Sequence, residues 1–195
     1  MTFTDYVNFE KQLNAAFPLE RPQFAWPRDR IGIEAQEIFA EYNWREMPGF
    51  SLRRLDCSLS HNLQLFPMIA SVYYLPAFLK LGALSLYYGG ESHDYPYEVA
   101  AALFLPLDPD VADFDEIDSE LTYDGSWSVF PHGRVDLYNA LNQAQRACAA
   151  RYLEIYRADY GKKGEGLYLS ERGKLIFQCM IDTWNSAGLL QHIEY

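Results

Sequence analysis

The apolar stretch at residues 63–88, LQLFPMIASVYYLPAFLKLGALSLYY, decides the fold of this chain. It is long enough to cross a bilayer and contains a single charged residue, Lys80. However, it also holds Pro67, Pro76 and Gly82, and no basic cluster flanks either end as it would beside a membrane span. Because a proline inside a helix kinks or divides it, we predict a buried pair of central helices here.

Helical patterns continue on both sides of this central stretch. The other segments expected to be helical are, in chain order, about residues 4–17, 30–42, 51–55, 94–105, 134–160 and 170–188. In the longest of them, 134–160, the apolar stripe includes Ala144 and Cys148, and Arg146 is expected to point outward. Asp124-Gly125 between alternating residues favours a small β-hairpin near 121–130. The chain is therefore predicted to be mainly α, a single helical domain of six or seven helices over residues 1–195.

The composition excludes several classes of protein. The chain has 195 residues, of which 49% are hydrophobic and 16% aromatic, so it can bury a large core and is not disordered. A formal net charge of -11 repels phosphate and excludes a generic nucleic-acid binder. The first residues, MTFTDYVNFEKQL, lack the basic start and apolar run of a secretory signal, and the three cysteines are odd in number and widely spaced. We expect a cytoplasmic protein without a disulfide framework.

The run YYLPAFL at residues 73–79 lies between a helix that closes on Ile38, Phe39 and Trp44 and a downstream AALF segment at residues 101–104. Over residues 31–157 this arrangement resembles an uncharacterised bacterial family, a domain of unknown function whose members carry a YYLPAYL-like helix. In that family the helix usually opens with a Ser/Thr-Pro-acid start. Here the sequence is FPM at residues 66–68, which offers no capping oxygen. The resemblance implies a helical bacterial protein and carries over no catalytic residue.

No residue pattern matches a catalytic signature. The four histidines show no HExxH spacing, GxSxG is absent, and the glycine-rich loops fit neither phosphate-binding pattern. The acids of residues 108–118 do not follow the spacing of an EF-hand loop, and Ser119 stands where that loop requires Glu. We therefore expect no enzymatic activity, no cofactor and no specific metal site.

The distribution of charge is the most informative feature of the sequence. Between Lys80 and Arg134 there is neither Lys nor Arg, although eleven of the 27 acidic residues lie there, and the other 16 balance the 16 Lys and Arg. Eight of the eleven fall within residues 108–124, interleaved with apolar and aromatic side chains. The residues expected to bind a partner are Asp108, Asp110, Asp113, Asp115, Glu116, Asp118, Glu120, Tyr123, Asp124 and Trp127.

Two interpretations of this acidic-aromatic segment (residues 108–127) are open. Blocks of like charge are often hydrated loops that keep a protein soluble. The interleaved rings, which such a loop does not need, favour an interface that attracts a basic partner and holds it by buried aromatic side chains. In general character this resembles the acidic immunity proteins that bacteria pair with antibacterial toxins. We therefore predict a small inhibitor that binds and neutralises a basic toxin or effector.

A second hypothesis belongs to a different functional class. A small-ligand binder or enzyme would have its pocket among the aromatic helices, lined by Tyr73, Tyr74, Tyr87, Tyr88 and Trp184. The same rings are also typical of an ordinary core. If the protein were an enzyme, the acids at 108–118 would be the first candidates to hold a divalent ion. The sequence leaves the partner's identity and the oligomeric state open.

Overall fold

A computed structural model describes residues 1–48, 63, 66–88, 94–103, 105, 131–160 and 171–190 of the chain. Within these ranges the regular secondary structure is entirely helical, which confirms the prediction of a mainly α protein. Seven helices are described: α1 (Phe3–Ala16), α2 (Arg30–Phe39), α3 (Met68–Tyr88), α4 (Asp94–Ala102), α5 (Pro131–Ala140), α6 (Gln143–Tyr160) and α7 (Glu171–Asn185). The helix expected at 51–55 and the hairpin expected near 121–130 lie outside the described residues.

Side-chain caps set where the first two helices begin. The Thr2 hydroxyl accepts the Asp5 N–H at 3.1 Å, and the Asp5 carboxylate accepts the Thr2 N–H at 3.0 Å, so Thr2 caps α1. The hydrogen bonds from Thr2 lower the pKa of the Asp5 carboxyl. At α2, the Asp29 carboxylate accepts the Gly32 N–H at 2.7 Å. Each helix therefore begins at an oxygen acceptor that its own sequence supplies.

Helix α3 is a single helix of 21 residues that continues through Pro76, so the expected helix pair is wrong. Pro76 has no N–H to donate to the Val72 carbonyl, but residues 73–79 are all buried, and this packing outweighs the lost hydrogen bond. By length and composition, α3 is the one helix among the described residues that could cross a membrane. Because 67% of its apolar window is buried inside the protein, α3 is at the same time the central core helix.

Helices α3 and α6 form the centre of the packing. Helix α3 contacts α1, α4, α5 and α6, and α6 in turn contacts α1, α4 and α7. Buried rings tie this centre to the surrounding backbone, because the Tyr74 hydroxyl donates to the Phe39 carbonyl at 2.7 Å and the Trp44 indole donates to the Pro18 carbonyl at 2.8 Å. These aromatic side chains therefore fill the core and also hydrogen-bond to backbone that is distant in sequence.

The helix predicted over 134–160 is interrupted at residues 141–142, where α5 ends and α6 begins. The Asn142 N–H donates to Gln145 Oε1 at 3.0 Å, and the Gln145 N–H donates to Asn142 Oδ1 at 3.0 Å. This reciprocal pair is a capping box, and it starts a new helix inside what reads as one apolar stripe. The N-x-x-Q spacing at 142–145 is the sequence signal for it.

The interruption reverses two expected orientations. Arg146, predicted to point outward, is buried, whereas Ala144 of the predicted inner stripe is exposed. Arg146 Nε donates to the Tyr138 carbonyl at 3.0 Å and to the Leu141 carbonyl at 2.9 Å, which satisfies the end of α5. Cys148, Tyr152 and Ile155 of the predicted stripe are buried as expected, so the two reversals are confined to the first turn of α6.

Gly82 marks the closest approach of α3 to α6. A β-carbon there would overlap the Tyr152 hydroxyl and lie 2.9 Å from Cζ of that ring. The ring is held in place because its hydroxyl donates to the Pro96 carbonyl at 2.8 Å, which ties α6 to α4. The absence of a side chain at Gly82 therefore allows three helices to meet.

We expect Gly82→Ala to lower the free energy of unfolding by up to about 2 kcal/mol. Overpacking a core costs about 1–3 kcal/mol, and the better helix propensity of alanine returns about 1 kcal/mol. Urea denaturation followed by far-UV circular dichroism measures the difference, with Ser85→Ala, on a less buried position of α3, as the control. A variant more stable than the wild type would show that the helices do not meet as closely as described.

Candidate functional site

The predicted partner-binding residues, from Asp108 to Trp127, lie outside the described residues. The structure does place the two points at which the chain enters and leaves the acidic-aromatic segment. The entry follows α4 at Leu103 and Leu105, and the exit is α5, which begins at Pro131. The contacts of these two points define where the segment is attached.

The entry point is attached to α7. Leu103 and Leu105 are both buried. The Trp184 indole N–H donates to the Leu103 carbonyl at 2.8 Å, and the Leu105 N–H approaches Met180 Sδ at 3.4 Å. Two side chains one helical turn apart on α7 therefore hold the chain immediately before the segment.

The exit point is attached to the same turn of α7. The buried Tyr138 of α5 packs its ring against Trp184 with the centroids 5.1 Å apart. Its hydroxyl lies 2.7 Å from Ser186 Oγ and 3.1 Å from the Thr183 carbonyl. Trp184 thus contacts the chain at Leu103, just before residues 106–130, and at Tyr138, seven residues after the start of α5.

A cluster of exposed rings lies at the C-terminal end of α3. Tyr88 is 75% exposed and Phe3 is 62% exposed. Their rings flank Tyr87, with centroid distances of 5.0 Å to Tyr88 and 6.0 Å to Phe3. Two members of this aromatic patch (Phe3, Tyr87 and Tyr88), the tyrosines, already lie within the interval that lacks Lys and Arg. Exposed apolar clusters of this kind are typical of contact surfaces.

The five rings expected to line a pocket are distributed among three places. Tyr74 and Trp184 fill the core, and burial raises the pKa of Tyr74 to about 12, so its hydroxyl stays a neutral donor. Tyr87 and Tyr88 belong to the aromatic patch. Tyr73 lines a groove elsewhere, and its hydroxyl donates to the Leu19 carbonyl at 2.9 Å. These five rings do not all meet at one place, and a pocket among the aromatic helices stays a prediction.

The groove beside Tyr73 encloses about 290 Å³ and is partly open. Its walls come from the connector after α1, from the first two turns of α3 and from the α5–α6 junction. They are mostly apolar and include Pro18, Pro22, Met68, Ile69, Val72 and Ala140. Three segments far apart in sequence therefore form one concave surface.

Two polar side chains line the groove, Glu20 at an exposed position and Gln145 at a buried one. Gln145 is 7% exposed, and its Oε1 is occupied by the capping bond from Asn142. No hydrogen bond from its Nε2 is found in the described part of the chain. Because this nitrogen is not one of the fully buried polar atoms that lack a partner there, water can reach the Gln145 amide.

Two kinds of group bear on chemistry among the described residues: metal ligands and nucleophilic thiols. No three His, Cys, Asp or Glu side chains of those residues lie close enough together to hold a metal ion. The buried Cys148 is a poor nucleophile, because burial raises the pKa of its thiol to about 12. The acids at 108–118, which were the candidates for a divalent ion, lie outside the described residues.

Comparison with known proteins identified no protein similar to this chain. No family model matches the chain, and no match was found among curated proteins or solved structures. The resemblance of the 73–79 helix to a bacterial family stays a prediction.

Proposed function

We propose that the protein is a small acidic inhibitor that binds a basic protein partner through the acidic-aromatic segment and neutralises it. The observation that carries the proposal is the separation of charge along the chain. The whole net charge of -11 falls between Lys80 and Arg134, with eight acids and several rings in residues 108–124. Clustered negative charge accelerates the encounter with a basic partner, and aromatic side chains hold the complex once water is expelled.

The attachment of the segment supports this role. Trp184, which is 1% exposed, contacts Leu103 just before the segment and Tyr138 of α5, the helix that follows the segment, so the rigid core holds the flanking chain on both sides. Anchored flanks lower the entropy that an interface loop loses on binding. Tyr87 and Tyr88 of the aromatic patch lie within the interval that lacks Lys and Arg, and Tyr88 and Phe3 are exposed. A basic partner with an apolar centre is complementary to such a surface.

The proposal predicts that the acids affect the rate of association and that the aromatic side chain affects the rate of dissociation. A partner captured from the source cells is purified, and its binding is measured by surface plasmon resonance at low and high salt. We expect Asp113→Asn/Asp115→Asn to slow association about tenfold at low salt, and Trp127→Ala to weaken the affinity about 30-fold, mainly through faster dissociation.

The matched control is Glu37→Gln/Glu41→Gln, which removes two exposed acids elsewhere on the described surface. It is expected to leave association within about twofold of the wild type, since exposed charges far from the contact are screened. If both acidic pairs slowed association equally, the effect would come from the net charge of the protein and not from the position of the acids in the segment. A captured partner that is acidic, or that binds without salt dependence, would contradict the proposal.

A further inference from the structure

The aromatic patch lies at one end of the fold, where α3 ends. Tyr87 and Tyr88 are the last two residues of α3, and Phe3 is the first residue of α1. Helix α1 runs antiparallel to α3, because Phe3 packs against Tyr87 whereas Glu10, two turns further along α1, pairs with Lys80. The patch therefore lies about 10 Å along the helices from that ion pair.

The rings of the patch are held in place yet stay in contact with water. The buried Tyr6 stacks on Tyr87, with the ring centroids 6.2 Å apart and the planes 25° apart. Phe3 and Tyr88, on either side of Tyr87, are 62% and 75% exposed. The faces of aromatic rings carry negative potential and attract cations. A cation that covers the patch would therefore be attracted to its rings.

The end of α3 favours the same kind of group. The last carbonyls of a helix have no partner within the helix and carry the negative end of its dipole, which Lys or Arg in the last turn usually complements. Helix α3 has no basic residue in its last turn. The positive end of α1, in contrast, is complemented by Asp5 in its first turn. The ring faces and the helix end thus attract a cation that α3 itself does not supply.

Cations on the elements around the patch are already paired with carboxylates. The pairs are Lys80 with Glu10 at 3.4 Å, Arg151 with Glu154 at 2.8 Å and the Met1 amino group with Asp159 at 2.9 Å. Lys80 also donates to the Arg45 carbonyl at 2.8 Å. Along the chain, Tyr88 is followed by Glu91 and Asp94, and the next Lys or Arg is Arg134. The cation that fits the patch therefore has to come from another molecule.

We infer that the aromatic patch is a second contact surface for the basic partner and binds one of its arginine side chains at the C-terminal end of α3. This inference rests on the proposed function, because it takes the partner to be a basic protein. Arginine is preferred to lysine, since its planar guanidinium stacks on rings and is more weakly hydrated. A second copy of this chain does not fit, because each copy carries a net charge of -11 and the copies repel each other.

Three capped tripeptides test the patch without the partner. They are acetyl-Gly-Arg-Gly-amide, the same peptide with citrulline, which has the shape of arginine but no charge, and the same peptide with lysine. Each is titrated into full-length protein with ¹³C-labelled Phe and Tyr rings. The arginine peptide is expected to shift the ring signals of Phe3, Tyr87 and Tyr88 and to bind about threefold more tightly than the citrulline peptide, with the lysine peptide in between.

Tyr88→Leu removes the ring but keeps an apolar side chain at an exposed position, so the fold should tolerate it. We expect this variant to lose the preference for arginine over citrulline and to bind the captured basic partner about three- to tenfold more weakly in surface plasmon resonance. Tyr88→Phe, which keeps the ring, should recover more than half of that loss. The matched control is Leu175→Ala, which removes an apolar side chain that is 66% exposed on α7 and should leave both measurements within about twofold.

A preference for arginine that disappears in Tyr88→Leu and returns in Tyr88→Phe supports the inference. Ring signals that no peptide shifts, equal binding of the arginine and citrulline peptides, tighter binding of lysine than of arginine, or an equal loss in Leu175→Ala would overturn it. The two proposals fail differently. A partner that binds through residues 108–127 and is indifferent to Tyr88→Leu overturns the patch alone, whereas the absence of any basic partner overturns the proposed function while the arginine preference is still measured.

Discussion

Replacing Trp184 with alanine is expected to lower the free energy of unfolding by about 3–5 kcal/mol, the usual cost of removing a large buried ring. Trp184 is 1% exposed and packs against Tyr138 with the ring centroids 5.1 Å apart. Its indole N–H also donates to the Leu103 carbonyl at 2.8 Å. The substitution therefore leaves a cavity in the core and a buried carbonyl without its donor.

Trp184→Phe separates the contribution of ring packing to stability from the contribution of the hydrogen bond. Phenylalanine keeps most of the apolar contact with Tyr138 but has no N–H for Leu103, so a smaller loss of about 1–2 kcal/mol is expected. Guanidinium denaturation followed by circular dichroism measures both variants against the wild type. A cost below about 1 kcal/mol for Trp184→Ala would contradict the described packing of α4, α5 and α7.

The same variants test the attachment of the acidic-aromatic segment. Because Trp184 contacts the chain before and after residues 106–130, we expect amide hydrogen exchange at Leu103 and Leu105 to accelerate in Trp184→Ala more than exchange in α1 does. Uniform acceleration in both regions would mean that Trp184 supports the whole core rather than this attachment.

Arg146→Ala is expected to destabilise the protein by about 3–4 kcal/mol. The guanidinium is buried, with the residue only 5% exposed, and its charge is balanced by carbonyl dipoles rather than by a carboxylate. Nε donates to the Tyr138 and Leu141 carbonyls, and Nη1 donates to the Gly188 carbonyl at 2.7 Å. Removing the side chain takes a charged donor away from three carbonyls, and a hydrogen bond to a charged group is worth about 1.5–3 kcal/mol. Part of the loss is compensated, because the Tyr138 carbonyl keeps the Leu141 N–H and the Gly188 carbonyl keeps the Tyr138 hydroxyl.

Arg146 also stacks on a ring, since its Cζ lies 4.1 Å from the centroid of Tyr138. Lysine offers a point charge without the planar fork, so Arg146→Lys should recover less than half of the loss. The matched control is Arg151→Ala on the exposed side of α6, where the guanidinium makes one surface ion pair with Glu154 at 2.8 Å. That change should cost less than about 0.5 kcal/mol, and equal costs at the two arginines would contradict the structural role of Arg146.

The acidic-aromatic segment can be recognised from the sequence alone, whereas the groove cannot. The segment is contiguous, so the absence of Lys and Arg between Lys80 and Arg134 is visible without any coordinates. The groove brings together Pro18, Val72 and Gln145, which are distant in sequence and individually unremarkable. Only the packing of α3 against its neighbours makes them adjacent, and no local pattern records that adjacency.

Local chemistry determined the helices of this protein: apolar spacing, the Asp29 cap and the apolar run of α3 all act within a few residues, and so they can be read directly from the sequence. Where local rules compete, the tertiary structure decided the outcome. Pro76 stays inside α3 because burial of the whole turn outweighs one missing hydrogen bond. Arg146 turns inward because two carbonyls at the end of α5 and the distant Gly188 carbonyl converge on it. Both outcomes depend on partners supplied by distant parts of the chain, whose free-energy contribution no short stretch of sequence contains.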